Sequence, residues 1–293
     1  MNKTHIMSII HHLILGKPLS RNGPKLSPRT PSEARMDATI LFIKDGPVAR
    51  ITLNRPEVLN AINDLMLREI IDACRQIAED REVRVAVIDA AGDRAFSAGI
   101  DVGFARDLHP WFGRWIPKLL HECFGTVRFT EKPFIAAVDG LCLGAGLELA
   151  ISCDLIIATE RSRFGLPNVH RGIPAIVEAA ILPHAMSIFH VKEMALTGEF
   201  WDAHKAERRG LLNAVVPDGD LQAETARWVE KLAGKPPIAL ATQKDIINKW
   251  MLTDLETAID YSIQTVLLAF GTRDQKEGMA AFLEKRDARF TGE

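Results

Sequence analysis

Segments rich in branched apolar residues alternate with segments of helical periodicity along much of this 293-residue chain. Residues 48–53 and 83–89 predict strands, and residues 62–79 between them place apolar side chains at helical spacing. Parallel strands need a long crossover connection, which is usually a helix. The alternation therefore predicts an α/β fold with parallel strands.

The same patterns continue toward the C-terminus. Asp45-Gly46-Pro47 predicts a hairpin turn after a first strand at 39–44. Further buried strands are predicted at 134–138 and 155–158, with helices between them. From about residue 190 the pattern is helical almost throughout. The predicted helices cover 106–130, 145–152, 175–186, 191–196, 203–209, 221–233, 237–250, 254–270 and 274–290.

The first 35 residues differ from the rest in composition. They hold six basic residues against one acidic residue, and four prolines interrupt them after residue 17. Such a start resembles an organelle transit peptide. We favour the alternative interpretation, in which the start codon is assigned too early and translation begins at Met36. We predict a disordered, mis-assigned or targeting extension over 1–36, a core over 37–215 and a helical C-terminal region over 216–293.

The overall charge and the cysteines limit the kinds of partner. The formal net charge of −2 gives no general attraction to nucleic acid or to an anionic membrane, and no run of 18 apolar residues is present. The four cysteines lack metal-ligand spacing, which predicts free thiols in a reducing compartment. We expect a cytoplasmic protein, or one of an organelle matrix if the basic start is a transit peptide, with no metal site.

Two glycine-containing turns follow predicted strands, at 96–101 and 139–148. A glycine-rich turn that opens a helix presents backbone N–H groups and the positive end of the helix dipole to a ligand oxygen. Two such donors form an oxyanion hole. Glu148 follows Gly144 by about one helical turn, so its carboxylate can lie beside the hole. A purely structural strand–helix junction is the alternative for either turn alone.

Five strings along the chain resemble, in order, the enoyl-CoA hydratase/isomerase (crotonase) family. The resemblance implies an α/β fold built as a crotonase-type spiral of ββα units with a helical C-terminal trimerisation region. It also implies a homotrimer or hexamer, an acyl-CoA substrate, and no cofactor beyond the coenzyme A of that substrate. The strings cover 53–63, 95–101, 132–167, 195–217 and 273–290.

The resemblance implies roles for individual residues. The N–H groups of Ile100 and Ala145 match the oxyanion hole, with Ala145 standing where the family usually has glycine. Glu148 matches one of the two catalytic glutamates of the hydratases. The residues expected to bind CoA or substrate are Ala98, Gly99, Asp101, Gly144 and Lys285, with Arg55 and Arg106 as further candidate cations for the phosphates.

The second catalytic glutamate of the family is missing. The chain has Asn168 in its place, and an amide orients a water or a carbonyl but does not shuttle a proton. Glu178, in an otherwise apolar segment, could replace the missing carboxylate; the alternative is a glutamate that only stabilises a helix N-terminus. We therefore predict hydration of 2-enoyl-CoA to 3-hydroxyacyl-CoA. The alternatives are an enoyl-CoA isomerase that uses one carboxylate, and a non-catalytic homologue that binds CoA esters or a partner.

Overall fold

The computed structural model describes residues 38–105 and 114–293. The predicted extension over residues 1–36, the candidate cation Arg106 and the beginning of the helix predicted over 106–130 lie outside the described residues. Within the described ranges, the structure has no helix long and apolar enough to span a membrane.

Among the described residues, the larger of two sheets has six strands, in the order β1-β2-β3-β5-β7-β10. The first two strands form the predicted antiparallel hairpin, in which Asp45 lies opposite Val48. All other neighbours in this sheet are parallel, as predicted. The strands are β1 (Ile40–Asp45), β2 (Val48–Leu53), β3 (Val85–Ala90), β5 (Phe134–Val138), β7 (Leu155–Thr159) and β10 (Ala214–Val216).

A second sheet has four short strands, in the order β4-β6-β8-β9. The chain passes from β3 to β4, from β5 to β6 and from β7 to β8, so each turn gives one strand to each sheet and the turns stack as a spiral. This sheet was not predicted, because strands of two or three residues are too short to show an alternating pattern. The strands are β4 (Ala95–Ser97), β6 (Leu141–Leu143), β8 (Arg163–Gly165) and β9 (Trp201–Asp202).

Helices cover the sheets and form most of the C-terminal region. The first of them begins at an Asn63 cap, whose side chain accepts from Met66 N at 2.9 Å. The α-helices are α1 (Asp64–Glu79), α2 (Val102–Ala105), α3 (Trp115–Phe129), α4 (Ala145–Ala150), α5 (Leu182–Ala185), α6 (Ile188–Thr197), α7 (Ala203–Arg208), α8 (Leu221–Ala233), α9 (Pro237–Trp250), α10 (Leu255–Phe270) and α11 (Arg273–Glu284). Short 3₁₀ helices lie at Pro56–Val58, Pro167–Arg171 and Glu178–Ile181.

Two predictions about helices were wrong. The segment 175–186 is not one helix, because it begins in irregular backbone after Pro174 and forms only a 3₁₀ turn followed by the short α5. The last helix ends at Glu284 instead of continuing to 290, because Lys285 adopts a left-handed conformation with φ of 57°. The strands β9 and β10 also interrupt the region that the pattern predicts as helical.

The C-terminal helix α9 is attached to the core through a buried lysine. Lys244 Nζ donates to Asp154 Oδ2 at 2.7 Å, to Lys132 O at 3.0 Å and to Val127 O at 3.3 Å. Asp154 Oδ2 also accepts from Phe134 N at 2.7 Å. The cation therefore joins α9 to the end of α3, to the start of β5 and to the loop before β7.

Candidate functional site

The first glycine turn is fixed by a parallel bridge between Ile62 and Ile100. Ile62 uses both of its backbone groups, because its N–H donates to Gly99 O at 2.8 Å and its carbonyl accepts from Asp101 N at 2.9 Å. In such a bridge the other partner's N–H and carbonyl point away. The N–H of Ile100 is therefore directed away from Ile62.

The second glycine turn lies against the first. Gly99 has φ of +99°, and a Cβ on it would come within 2.9 Å of Leu143 O and 3.5 Å of Ala145 N. Ala145 is the first residue of α4, where helix N–H groups have no intrahelical acceptor. The neighbouring Gly144 has φ of +53°. The arrangement brings the N–H groups of Ile100 and Ala145 into one small region, as an oxyanion hole requires.

A close contact between α4 and β4 holds the two turns together. A Cβ on Gly146 would lie 2.6 Å from Ser97 Cβ and 2.7 Å from Ser97 O. Only glycine lets the helix backbone come this near to the strand.

Glu148 lies one turn into α4 and is buried, with 2% of its surface exposed. Its Oε2 accepts from Val177 N at 3.1 Å and from Glu178 N at 2.9 Å. Burial raises the pKa of Glu148 to about 7, although the backbone hydrogen bonds oppose that shift. A carboxyl group with this pKa takes up and releases protons near neutral pH.

Asn168 lies in the 3₁₀ helix that follows β8, and its amide has a defined orientation. Nδ2 donates to Pro174 O at 3.3 Å, and a carbonyl can only accept. Oδ1 is therefore directed the other way, toward Gly144, where a Cβ would lie 3.5 Å from it. Oδ1 is buried and accepts no hydrogen bond from the described residues. The site thus presents a free acceptor oxygen beside the second glycine turn.

Glu178 turns its backbone toward Glu148 and its side chain toward α3. Its Oε1 lies 2.8 Å from His121 Nδ1 and 3.8 Å from Arg128 Nη2, and its Oε2 is buried with no partner among the described residues. Burial raises the pKa of Glu178, and the contact with His121 opposes that shift. The segment that carries Glu178 is the same one that holds the Glu148 carboxylate.

Other predicted binding residues have partners within the protein. Ala98 N donates to Leu59 O at 2.9 Å, so Ala98 extends the first turn. Asp101 accepts from Arg55 Nη1 at 2.9 Å, and the same nitrogen donates to Ala61 O at 2.6 Å. The Arg55 guanidinium is thus used to tie the first turn to the loop after β2. Lys285 lies exposed at the end of α11, and no hydrogen bond or ion pair among the described residues links it to either turn.

Two residues that contact the candidate site were not predicted. His121 lies on a helix with no ligand spacing around it, so only the three-dimensional structure reveals its contact with Glu178. Asn60 is buried, and it donates through Nδ2 to Ala91 O and Ala95 O at 2.9 Å each while Oδ1 accepts from Arg55 N at 2.8 Å. Asn60 thus shapes the loop against which the first glycine turn lies.

Metal ligands do not cluster in the described ranges: no group of three or more His, Cys, Asp or Glu side chains there could hold an ion. The four cysteines are free and buried, which agrees with the prediction of unpaired thiols.

Comparisons with known proteins agree closely with one another. The sequence model of the family described as Enoyl-CoA hydratase/isomerase matches residues 44–293. The chain is 35% identical over 248 residues to a short-chain-enoyl-CoA hydratase of Clostridium acetobutylicum, covering 84% of this chain and 95% of that protein. It is 36% identical over 252 residues to a crotonyl-CoA hydratase of Syntrophomonas wolfei, covering 86% and 97%.

Solved structures show the same similarity. A crystal structure of an enoyl-CoA hydratase subunit from Geobacillus kaustophilus is 37% identical with a TM-score of 0.83, covering 87% of this chain and 98% of that one. An enoyl-CoA hydratase from Bacillus anthracis is 30% identical with a TM-score of 0.83, covering 87% and 100%.

Proposed function

Because this chain belongs to the enoyl-CoA hydratase/isomerase family, we propose that it adds water to a 2-enoyl-CoA and forms a 3-hydroxyacyl-CoA. The observation that carries the proposal is the placement of Glu148. Its buried carboxylate, with a pKa of about 7, lies one helical turn from the Ala145 N–H. The names of two relatives, short-chain-enoyl-CoA hydratase and crotonyl-CoA hydratase, favour a short acyl chain as the first substrate to test.

The thioester carbonyl binds at the N–H groups of Ile100 and Ala145. These donors stabilise the negative charge that develops on the carbonyl oxygen as water adds at C3. The loss of one such donor typically costs about 3–4 kcal/mol of transition-state stabilisation. Gly99 and Gly144 allow the close approach, while Ala98 and Asp101 shape the turn toward the CoA. Lys285 would contribute to CoA binding from a neighbouring subunit.

Glu148 acts as the base toward the attacking water. Its Oε2 is held by the N–H groups of Val177 and Glu178, which leaves Oε1 to accept the proton. The Oδ1 of Asn168 accepts the other proton of the water in a hydrogen bond and so orients it. The asparagine thereby supports the reaction without changing its charge.

Glu178 takes the role of the missing second carboxylate. The acid must be protonated before it can donate to C2, and burial favours the protonated form because it raises the pKa of Glu178. The reaction then balances: hydroxide from water bonds to C3, Glu148 gains the remaining proton of the water molecule, and Glu178 gives its proton to C2.

We further propose assembly as a homotrimer or a hexamer, a cytoplasmic location, and no nucleic-acid or membrane partner. The assembly is supported by large exposed apolar side chains on α10 and α11, such as Leu268 and Phe282. The cytoplasmic location is the prediction made from the sequence. One relative is a probable enoyl-CoA hydratase of mitochondria.

The experiment that tests this function compares Glu148→Gln with the unchanged protein on crotonyl-CoA. We expect turnover to fall by roughly 10²–10⁴ with little change in acyl-CoA binding, because glutamine keeps the shape but accepts no proton. Glu160→Gln, at an exposed carboxylate, is the matched control and should retain full activity. Near-normal hydration by Glu148→Gln would refute the proposed mechanism. Isomerisation of a 3-enoyl-CoA without hydration would instead identify the chain as an isomerase.

A further inference from the structure

The contact between Glu178 and His121 joins a buried carboxylate to the protein surface. His121 Nδ1 lies 2.8 Å from Glu178 Oε1. The side chain of Glu178 is 2% exposed, whereas that of His121 is 63% exposed. We propose that His121 carries protons between solvent and Glu178 during turnover, an inference that rests on the proposed role of Glu178 as the acid.

The proposed reaction requires that Glu178 be reprotonated after each turnover. Each hydration leaves a proton on Glu148 and removes one from Glu178. After the chemical step Glu148 is therefore protonated and Glu178 is ionised, the reverse of the starting state. The pair returns to its starting state when Glu178 regains a proton and Glu148 loses one to water. An imidazole can take up a proton from solvent at Nε2 and release the other from Nδ1. Nδ1 is the nitrogen that lies 2.8 Å from Glu178 Oε1, so the released proton passes to that oxygen.

The other groups that the structure describes around Glu178 do not offer an equivalent path. Arg128 Nη2 lies 3.8 Å from the same oxygen, but a guanidinium keeps its protons. Burial raises the pKa of the Cys123 thiol, on the same helix, well above its ordinary value, so Cys123 remains protonated. Glu122 lies on the surface of that helix, 3.7 Å from Arg75. Glu148 is hydrogen-bonded to the backbone N–H of Glu178, not to its carboxylate.

The two oxygens of Glu178 therefore have different tasks. Oε1 contacts His121 and receives the proton. Oε2 is buried and has no partner within the described ranges, so in the proposed relay it is the oxygen that delivers the proton. Rotation about the bond to the carboxyl carbon exchanges the two oxygens, so a proton received on one can be delivered from the other's position. His121 is thus a positioning and relay residue that does not need to touch the substrate.

The test uses His121→Gln and His121→Ala in the full-length protein, with crotonyl-CoA as the substrate. Reprotonation of Glu178 occurs after the chemical step, so we expect kcat to fall by about tenfold or more while kcat/KM changes much less. Added imidazole should restore kcat of His121→Ala in a concentration-dependent way, because a free base can replace the missing side chain. A merely structural role for His121 would not produce this rescue.

The control is His204→Gln, at a half-exposed histidine on α7 that lies 3.8 Å from Glu160. It should leave kcat and its response to imidazole unchanged. Thermal unfolding of each variant establishes that the protein is folded. An unchanged kcat in His121→Gln, or a lowered kcat in a folded His121→Ala that imidazole does not raise, would overturn the relay.

Glu178→Gln separates the relay from the function on which it rests. We expect this variant to lose hydration, and His121→Gln added to it to cause no further loss. Full hydratase activity in Glu178→Gln would overturn both the acid role of Glu178 and the relay, whereas loss of activity in Glu148→Gln would still support hydration. If Glu178→Gln is inactive and His121→Gln is normal, only the relay is wrong.

Discussion

The ionised form of Glu148, which the proposed reaction needs, lowers the stability of the folded protein. Its pKa is raised from 4.5 to about 7, so the folded protein holds the proton more tightly than the unfolded chain does. The destabilisation is therefore absent below pH 4.5 and grows until the pH exceeds the folded pKa. At about 1.4 kcal/mol per pKa unit, the full cost is of the order of 3 kcal/mol.

We therefore expect Glu148→Gln to be more stable than the unchanged protein at pH 8 by up to about 3 kcal/mol, and nearly equal to it at pH 4. The free energy of unfolding, measured by urea titration at both values, checks this. Glu160→Gln is the control, because that carboxylate is exposed. A stability difference that is the same at both pH values would contradict the burial argument.

The packing of α4 on β4 sets the geometry of the site at the scale of elements. Gly146→Ala would place a methyl group 2.6 Å from Ser97 Cβ, so helix and strand must separate. Because a displacement of about 1 Å at a reacting centre costs about 10²-fold, we expect kcat/KM to fall by that order. Gly219→Ala has nothing within 4 Å of the new methyl group and should be neutral. Steady-state kinetics distinguish the two, and equal activity would show that the helix position is not critical.

The attachment of α9 depends on one buried cation. Lys244→Met leaves Asp154 and the Val127 and Lys132 carbonyls without the ammonium group that they share. Removing one partner of a fully buried ion pair typically costs about 3–5 kcal/mol. Because 29% of the Asp154 side chain is exposed, we expect a smaller loss, of about 1–3 kcal/mol, in chemical denaturation. Lys235→Met, at an exposed position, should change stability little. An equal effect of both substitutions would argue against the buried contact.

How much the sequence can predict depends on the length of each element and the range of its contacts. The helix α9 and the buried strand β5 were predicted to the residue, and the family and its fold are confirmed by the matches to known proteins. The three-residue strands carry too little pattern to be recognised. The contact of Glu178 with His121 joins residues 57 positions apart, and nothing local in the sequence indicates it.

The surface of the whole chain carries apolar side chains that a monomer would leave in water. On α11, Phe282 is 80% and Leu283 is 78% exposed, and α10 adds Leu255, Leu267 and Leu268. Large exposed apolar patches mark interaction sites in proteins of this kind. They are the reason for proposing that copies of the chain associate.

We expect the unchanged protein to sediment as a trimer or a multiple of it at micromolar concentration. Phe282→Glu combined with Leu283→Glu should produce smaller species, because each charge would be buried at an apolar contact. Lys276→Glu, an exposed position on the same helix, should not change the sedimentation coefficient. A stable monomer of the unchanged protein would refute the proposed assembly.

The pairing of β4 with β6 has a consequence for how such a chain can diversify. The two N–H groups of the proposed oxyanion hole follow the ends of these neighbouring strands, which pair in parallel. Their placement therefore depends mainly on the pairing of two backbones, whose strands lie about 4.8 Å apart, and not on the side chains around the acyl group. Mutations in the residues around the acyl group can therefore accumulate without altering the two hydrogen bonds to the carbonyl oxygen. Such a chain can thus acquire a new acyl group as substrate through fewer changes than it would need to bind a group other than a thioester carbonyl.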